Sequence, residues 1–286
     1  MVTLYQEARV ALRESSLRPR KKLGQHFLVH DGVLEAIVRL LDLTPADEIV
    51  EIGPGLGFLT RRLVEVANKV WAIELDAALV ERLRTGPLGS HPAFDLVHGD
   101  VLRVSLESIL PDHKVKLVGN LPYNISTPVL FRLFEFRHHF SHLVLMVQRE
   151  VADRMAAFPG TASYGTLSVW CQIHGQILDK VSVSPEAFFP RPKVRSTVLK
   201  IGLYPQPLLS TEYLPVLRAL VRAAFGQRRK MLGNALRGWL KKGREQVEAF
   251  LEHEGIDPRR RGETLSVEEF IRLAHALKKT GLIAES

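Results

Sequence analysis

The sequence predicts an α/β fold built on a mainly parallel sheet, followed by a small helical domain. Between residues 31 and 147, short apolar runs alternate with segments whose apolar residues recur at helical spacing, which is the pattern of right-handed βαβ units. The short runs are apolar on both faces, as strands covered by helices on each side require. After Pro205 and Pro207 only helical patterns remain.

The elements of the α/β part follow one another in chain order. A helix over residues 33–41 comes first, with Asp31 placed to act as its N-cap. The strands are predicted at 48–52, 70–74, 94–98, 115–119 and 143–147, and the helices between them at 56–66, 77–84 and 127–136. Residues 178–201 are again β-rich, and such a late segment adds an antiparallel edge to many parallel sheets.

The chain has 286 residues, enough for one large and one small domain. We expect residues 1–17 to be an arm without fixed structure, residues 18–205 to form the α/β domain and residues 206–286 to be all-helical. Helices of this last domain are predicted at 214–225, 229–240, 245–253 and 267–279.

The composition indicates the cellular compartment in which we expect the protein. No apolar run approaches the ~20 residues that span a bilayer, and residues 1–20 lack the apolar stretch of a signal peptide. The one cysteine, Cys171, excludes an intrachain disulfide and fits a reducing compartment. We therefore expect a cytoplasmic protein.

The net charge of +8 favours a polyanionic partner, because bound phosphates release counterions. Many soluble proteins are basic without binding nucleic acid, so the clustering of the charge is more informative than its sum. Basic residues group at 18–22, 191–195, 228–230, 241–244 and 259–261.

A glycine-rich turn follows the first predicted strand, in Gly53-Pro54-Gly55-Leu56-Gly57. Glycines permit positive φ and close approach of a ligand to the backbone, and ligands of such folds bind at the carboxyl ends of the strands. The spacing is Gly-x-Gly-x-Gly rather than the dinucleotide pattern Gly-x-Gly-x-x-Gly. Taken alone, the turn is equally consistent with a plain tight βα connection.

Carboxylates end the next two strands. Glu74 is placed to accept both hydroxyls of a ribose, as in nucleoside-binding folds generally, and Asp100 to accept a hydrogen bond from an adenine amino group. Asp100 alone is also consistent with a turn or helix-cap residue. Together with the glycine turn, these residues predict a site for a nucleoside cofactor.

The most informative segment is Asn120-Leu121-Pro122-Tyr123, after the fourth strand. The exocyclic nitrogen of adenine is a poor nucleophile because its lone pair is delocalised into the ring. The Asn120 side-chain oxygen and the Leu121 carbonyl can each accept one N6 hydrogen and direct that lone pair at a methyl donor. Pro122 fixes the local backbone, and Tyr123 can stack on an unpaired purine. In isolation, the same tetrapeptide is consistent with a β-turn.

Phe188 supplies a second aromatic ring, in Phe188-Phe189-Pro190-Arg191-Pro192. The prolines stiffen a loop that can press this ring against the other face of a target base. A buried core position is an equally good interpretation of Phe188.

These residues resemble the KsgA-type ribosomal RNA adenine dimethyltransferases over residues 18–280. The resemblance rests on Gly24-Gln25-His26-Phe27-Leu28, Glu51 to Gly57, Asn120 to Ser126, Phe188 to Val194 and Phe225 to Lys230. It implies a Rossmann-like class I methyltransferase domain over 18–205 that uses S-adenosylmethionine and no metal, and an rRNA-binding helical domain over 206–286. His26 stands where many members have Asn, and either side chain can donate a hydrogen bond.

The resemblance also implies roles for individual residues. The implied cofactor contacts are Gln25, His26, Leu28, Gly53, Gly55, Glu74, Leu75, Asp100, Val101 and Asn120. The implied catalytic residues are Asn120, Leu121, Pro122, Tyr123 and Phe188. The implied substrate is a pair of adjacent adenosines in the 3′-terminal hairpin of 16S rRNA, dimethylated at N6 by a monomeric enzyme within an immature 30S particle.

Contacts to rRNA phosphates are expected from basic residues in two of the clusters. They are Arg191, Lys193, Arg228, Arg229 and Lys230, the last three at the start of a predicted helix. The histidines, including the adjacent pair His138 and His139, show no metal-ligand spacing, so we expect no metal site.

Four alternatives compete with this interpretation. A related enzyme that methylates large-subunit rRNA is disfavoured by Leu121 and by the segment 227–230, and DNA adenine methyltransferases resemble Asp-Pro-Pro-Tyr at this position. A non-catalytic RNA-binding factor of the same fold would be expected to lack some of the residues Gly53, Glu74, Asp100 and Asn120. A nicotinamide dehydrogenase has no use for the Asn-Leu-Pro-Tyr segment.

Overall fold

The structure is a computed structural model that describes residues 2–14, 19–20 and 23–282. It divides into two compact units, Met1–Ala152 with Gln176–Leu203 and Asp153–Gly175 with Tyr204–Ser286. The boundary between Leu203 and Tyr204 lies close to the predicted domain boundary at residue 205. The segment 153–175, which we expected in the α/β domain, instead groups with the helical unit.

A seven-stranded sheet forms the centre of the first unit. Its strands are β2 (Glu48–Ile52), β3 (Lys69–Glu74), β4 (Phe94–His98), β5 (Val115–Asn120), β6 (Phe140–Gln148), β7 (Gly175–Val183) and β9 (Ser196–Leu203). They lie in the order β4-β3-β2-β5-β6-β9-β7. The neighbours from β4 to β6 are parallel and β9 runs antiparallel to β6. The predicted parallel sheet with an antiparallel edge is confirmed.

The register of the parallel strands brings the predicted ligand-binding turns to one edge. Ile52 pairs with Ile73 on one side and with Gly119 on the other, and Glu74 pairs with His98. The glycine turn, Glu74, Asp100 and Asn120 each sit at, or directly after, the carboxyl end of one of these strands. They therefore lie at the same edge of the sheet, where open α/β sheets bind ligands.

The helices of this unit are α1 (Leu4–Glu14), α2 (Asp31–Leu41), α3 (Phe58–Val64), α4 (Ala77–Thr85) and α5 (Ser126–Glu135). The prediction that Asp31 caps α2 is wrong: His30 occupies the N-cap position without a side-chain bond, and the Asp31 carboxylate pairs with Arg62. Helix α3 is shorter than predicted, because Gly57 in a left-handed conformation delays its start.

Helix α1 corrects our expectation that residues 1–17 lack fixed structure. Ala8, Ala11 and Leu12 are buried in the core cluster of this unit, and Glu7 pairs with Arg61 at 2.7 Å. Three basic residues of the first predicted cluster, Arg18, Lys21 and Lys22, lie outside the described residues, as does the expected domain start at 18.

A separate two-stranded pairing lies beside the sheet. Strand β1 (Phe27–Leu28) runs antiparallel to β8 (Phe188–Phe189), with Leu28 opposite Phe188. It joins two of the segments that carry the family resemblance, although they are far apart in the sequence.

The second unit is helical. Helix α6 (Arg149–Met155) leads into it, and α7 (Thr166–His174), α8 (Leu214–Gly226), α9 (Leu232–Leu240), α10 (Arg244–His253) and α11 (Val267–Thr280) build it. Its core includes Leu217, Leu220, Leu236 and Phe270, all fully buried. Ser266 and Glu269 form a reciprocal capping box that starts α11. Of the described helices in either unit, none is long and apolar enough to cross a membrane.

Candidate active site

A cavity lies at the carboxyl edge of the sheet in the first unit, where the predicted turns converge. All ten residues expected to contact the cofactor line this cavity, namely Gln25, His26, Leu28, Gly53, Gly55, Glu74, Leu75, Asp100, Val101 and Asn120. Four of the five expected catalytic residues also line it, namely Asn120, Leu121, Pro122 and Tyr123. The cavity therefore brings the residues expected to bind the cofactor and the segment expected to be catalytic to one place.

The glycine turn forms one wall of the cavity. Gly53, Gly55 and Gly57 all have positive φ, at 69°, 58° and 79°, a region that only glycine adopts readily. At Gly55 a Cβ would also make a tight contact, 3.0 Å from the Phe27 ring. The positive φ therefore favours glycine at this position, and a side chain would in addition require the Phe27 ring to shift slightly.

Glu74 is held by main-chain donors. Its Oε1 accepts from the Asp76 N–H at 2.9 Å and its Oε2 from the Gly55 N–H at 3.2 Å. Burial raises the pKa of Glu74, while these donors act in the opposite direction. Each carboxylate oxygen retains a second lone pair. Glu74 can therefore still accept the two hydroxyls of a ribose, which fits a nucleoside cofactor.

Gln25 orders the segment that precedes β1. Its Nε2 donates to Asp76 at 2.9 Å and its Oε1 accepts from the Arg20 N–H at 2.7 Å. Asp76 also caps α4, by accepting from the Ala78 N–H at 3.1 Å. Since both ends of the Gln25 amide have protein partners, its contribution to the cavity is to hold this segment against the end of β3.

The sequence left two interpretations of Asp100 open, a turn-capping residue and a ligand-binding residue, and the structure is consistent with both. Its Oδ1 accepts from the Leu102 N–H at 2.9 Å, as a turn-capping aspartate does. The same residue lines the cavity, and its Oδ2 lies 3.8 Å from Arg103. The cap fixes the carboxylate, and the second oxygen remains an acceptor for a ligand amino group.

The side chain of Asn120 is oriented by the main chain of the N-terminal segment. Its Nδ2 donates to the His26 carbonyl at 2.9 Å. A carbonyl only accepts hydrogen bonds, so the amide nitrogen must face His26 and the amide oxygen is left as the acceptor. Leu121 is almost fully buried, and its N–H donates to Met146 on β6 at 3.0 Å.

Tyr123 is anchored at both its ring and its hydroxyl. The ring stacks on His26 with centroids 5.6 Å apart and planes at 25°. The hydroxyl shares a 2.6 Å hydrogen bond with Ser196 on β9, and burial raises the pKa of Tyr123. The His26 Nδ1 lies 2.6 Å from the Pro190 carbonyl, so this nitrogen carries the proton. The aromatic ring therefore has one fixed position at the cavity wall.

Phe188 is not placed as the catalytic interpretation expected. It is 2% exposed, belongs to the core cluster and is absent from the cavity lining formed by the described residues. Its position opposite Leu28 in the β1–β8 pair buries the ring. Phe188 is therefore a core residue in this structure, which is the alternative that the sequence left open.

Glu51 is a cavity residue that we did not predict. It lies on β2, is 2% exposed and lines the cavity, while Thr60 donates to its Oε2 at 2.6 Å. Burial raises the pKa of Glu51 to about 7, with a smaller contribution from Glu74. The available signal was a carboxylate that follows the apolar pair Ile49 and Val50 and lies two residues before Gly53.

Some of the residues expected to contact RNA have exposed side chains, and others are already paired with protein groups. In the first unit, Lys193 is exposed and Arg191 pairs with Glu186. In the second unit, Arg229 and Lys230 are exposed. They lie in a turn before α9 rather than at the start of a helix as predicted.

Arg228 has structural partners within its own unit. Its Nη2 donates to the carbonyls of Ala162 and Tyr164, each at 2.9 Å, and its Nε lies 3.4 Å from Glu263. A guanidinium that supports two main-chain carbonyls and an ion pair is a structural group, so Arg228 is a weaker candidate for phosphate contact than its two neighbours.

Known proteins are similar to this chain over most of its length. A model of the family described as ribosomal RNA adenine dimethylase matches residues 16–279. Ribosomal RNA small subunit methyltransferase A of Geobacter metallireducens is 43% identical over 274 residues, which are 94% of this chain and 99% of that protein. The protein of the same name from Syntrophotalea carbinolica is 44% identical over 262 residues, or 91% and 97% of the two chains.

Two solved structures show the same fold. A dimethyladenosine transferase from Plasmodium falciparum aligns with a TM-score of 0.78 at 26% identity, over 90% of this chain and 98% of that one. The 23S rRNA methyltransferase ErmE aligns with a TM-score of 0.64 at 27% identity, over 88% and 99% of the two chains.

Proposed function

The chain belongs to the ribosomal RNA adenine dimethylase family and is an S-adenosylmethionine-dependent enzyme, and from this premise we propose its site residues and its substrate. We propose that it dimethylates N6 of two adjacent adenosines in small-subunit rRNA. The single observation that carries the proposal is the oriented amide of Asn120 in the same cavity as Glu74 and Asp100.

The cofactor end of the cavity fits S-adenosylmethionine. We assign the ribose to Glu74 and the adenine amino group to Asp100, because both carboxylates retain free lone pairs beside the glycine turn. Glu51 adds a buried acceptor close to Glu74. When bound, the cofactor supplies a methyl group on a positively charged sulfur, which is already activated for transfer.

The catalytic end has to hold adenine and prepare its nitrogen. In the first transfer the Asn120 oxygen and the Leu121 carbonyl each accept one N6 hydrogen, which directs the nitrogen lone pair at the methyl group. In the second transfer N6 has one hydrogen left, and one of these two acceptors binds it. Each transfer releases one N6 proton to solvent. Tyr123 stacks on the purine and limits its rotation, because Ser196 and His26 fix the tyrosine ring. Catalysis is then mainly positioning and electrostatic stabilisation by pre-oriented groups.

The proposed substrate is the 3′-terminal hairpin of 16S rRNA within an immature 30S particle. The curated relatives at 43–44% identity carry the name of a small-subunit enzyme, whereas the 23S enzyme is 27% identical. We assign phosphate contacts to Arg191, Lys193, Arg229 and Lys230, with Arg228 in a supporting role. The enzyme acts as a monomer in the cytoplasm, late in subunit assembly.

A methyl-transfer assay tests this proposal. Purified protein and radiolabelled S-adenosylmethionine are incubated with 30S particles that lack the modification, and in parallel with 50S particles, deproteinised 16S rRNA and DNA. We expect label in 30S particles only, recovered as N6,N6-dimethyladenosine from two adjacent positions. Label in 50S particles and not in 30S particles would support the large-subunit alternative, and label in DNA with none in either particle or in 16S rRNA would contradict an RNA substrate.

A further inference from the structure

Three potential metal ligands meet at the edge of the sheet opposite the active-site cavity. Glu107 lies in the turn before β5, and His138 and His139 lie in the turn that ends directly before β6. A ligand atom of each residue lies within 4.8 Å of the ligand atoms of the other two. These turns precede the amino ends of β5 and β6, whereas the cavity follows the carboxyl ends of the sheet strands.

The histidine rings are held in place, but one of their nitrogens has no partner. The two imidazole centroids are 4.1 Å apart, and the His139 ring is nearly parallel to Phe136 at 6.4 Å. The Nε2 of His139 is buried and has no hydrogen-bond partner among the described residues. A buried polar atom without a partner is unfavourable, and coordination of a cation would satisfy it.

The surroundings of His139 also supply negative charge. Besides Glu107, the carboxylate of Asp112 lies close enough to interact electrostatically with this imidazole. A bound cation would be attracted to both carboxylates.

We propose that Glu107, His138 and His139 form a zinc site. Two imidazoles and one carboxylate are a common set of zinc ligands and leave a fourth position for water. Zinc–ligand bonds of about 2.0–2.2 Å place tetrahedral ligand atoms roughly 3.4 Å apart. Glu107 and His138 are exposed, so their side chains can close the remaining distance without moving the core.

The site ties the turn before β5 to the turn before β6. Its effect is on the stability of the first unit and not on methyl transfer, because its ligands lie at the other edge of the sheet from the cavity. Our sequence-based expectation of no metal site depended on ligand spacing along the chain. Here the third ligand is distant in sequence from the histidine pair.

Zinc binding to the full-length protein tests the proposal. The protein is stripped with a chelator and titrated with ZnCl₂ by calorimetry, and with Co²⁺ to record the visible absorption of a tetrahedral site. The test variants are His138→Ala and Glu107→Gln, whose exposed side chains can be replaced without disturbing the core. The matched control is His253→Ala, which removes an exposed histidine of the second unit.

We expect one zinc ion per chain, a tetrahedral cobalt spectrum and a higher melting temperature with zinc. Each test variant should weaken zinc binding by more than roughly tenfold and abolish the melting shift, while His253→Ala should behave like the parent protein. The proposal is overturned if the parent protein binds no zinc, or if the test variants bind it as the control does. Circular dichroism of the stripped proteins verifies that all variants are folded.

Discussion

The side-chain amide of Asn120 donates to the main-chain carbonyl of His26 across 2.9 Å. This bond connects the carboxyl end of β5 with the segment before β1, and it settles which end of the amide faces the ligand. The proposed chemistry needs the oxygen of Asn120 as an acceptor, and the bond to His26 leaves that oxygen available.

Asn120→Ala should reduce single-turnover methyl transfer by about 10²–10³-fold, the usual loss when one pre-oriented hydrogen-bonding group is removed from a catalytic site. Affinity for S-adenosylmethionine, measured by calorimetry, should fall only modestly, because Glu74 and Asp100 remain. Near-parental turnover in this variant would remove Asn120 from the mechanism.

Asn120→Asp separates the two roles of the amide. The carboxylate retains an acceptor but cannot donate to the His26 carbonyl. We expect a partial loss of transfer, smaller than that of Asn120→Ala, because the acceptor is present without its fixed orientation. Equal rates for the alanine and aspartate variants would show that an acceptor oxygen without the bond to His26 contributes nothing to transfer.

Tyr123 is predicted to act through its ring more than through its hydroxyl. Tyr123→Ala should weaken productive RNA binding roughly 5- to 150-fold, since stacking on a base contributes about 1–3 kcal/mol. Tyr123→Phe keeps the stacking surface and loses the bond to Ser196, so its effect should be about 1 kcal/mol. The measurement is kcat/KM with 30S particles as the varied substrate.

Ser196→Ala is the matched control for the tyrosine hydroxyl. If the 2.6 Å bond between these side chains is what fixes the ring, the double variant Tyr123→Phe, Ser196→Ala should be no worse than either single variant. Fully additive losses would mean that the two residues act independently.

Glu51 should make the stability of the cofactor-free protein depend on pH. Burial raises its pKa in the folded state from 4.5 to about 7, so between these values the folded state keeps a proton that the unfolded state has lost. The free energy of unfolding therefore falls as pH rises through this window, by up to about 3 kcal/mol from this group.

Glu51→Gln tests this pH dependence because glutamine does not titrate. Urea unfolding of the parent and the variant at pH 5 and pH 8 should show that the variant gains stability relative to the parent as pH rises. Titrating groups that do not interact with Glu51 are common to both proteins and cancel in the difference, whereas Glu74, which interacts with Glu51, adds a smaller contribution. A constant difference across the range would show that Glu51 ionises normally in the folded state.

The turn before α9 contains two exposed basic residues, Arg229 and Lys230, and one basic residue with protein partners, Arg228. Arg229→Glu with Lys230→Glu should weaken binding to 30S particles and reduce the salt dependence by about one unit of slope for each lost phosphate contact. The melting temperature should be unchanged, since both side chains are exposed. An unchanged salt slope would remove this turn from the RNA-binding surface.

Arg228→Glu should instead destabilise the helical unit. It removes the donor to the Ala162 and Tyr164 carbonyls and repels Glu263. We expect a clear fall in melting temperature, in contrast to the variants of its two neighbours. A normal melting temperature with reduced RNA affinity would show that Arg228 contacts RNA and is not needed for the stability of the unit.

Much of the site could be predicted because its signals are local. Each strand that leads into the cavity is a short apolar run that ends in a glycine, a carboxylate or an amide. Parallel strands place those endings at one edge, so the glycine turn, Glu74, Asp100 and Asn120 line one cavity. The other residues that line it as expected, Gln25, His26 and Leu28 among them, were implied by the family resemblance. No long-range information was needed to bring Gly53, Glu74 and Asn120 together.

The errors have a different physical origin. Phe188 is buried by a two-residue strand pairing with Leu28, which is too short to leave a periodic pattern. The two carbonyl partners of Arg228 lie more than sixty residues away in the sequence, as does the carbonyl partner of Asn120. Helix α1 was missed because an amphipathic segment outside every motif was taken for an arm, although its small apolar face packs on the core.

The most direct test of the mechanism is a crystal structure of the protein with S-adenosylhomocysteine and an adenosine-containing RNA fragment. We predict that adenine N6 lies within hydrogen-bonding distance of the Asn120 oxygen and the Leu121 carbonyl. The purine should stack on Tyr123, and the cofactor ribose should bind Glu74. An adenine bound elsewhere, or a sulfur remote from residues 120–123, would contradict the account.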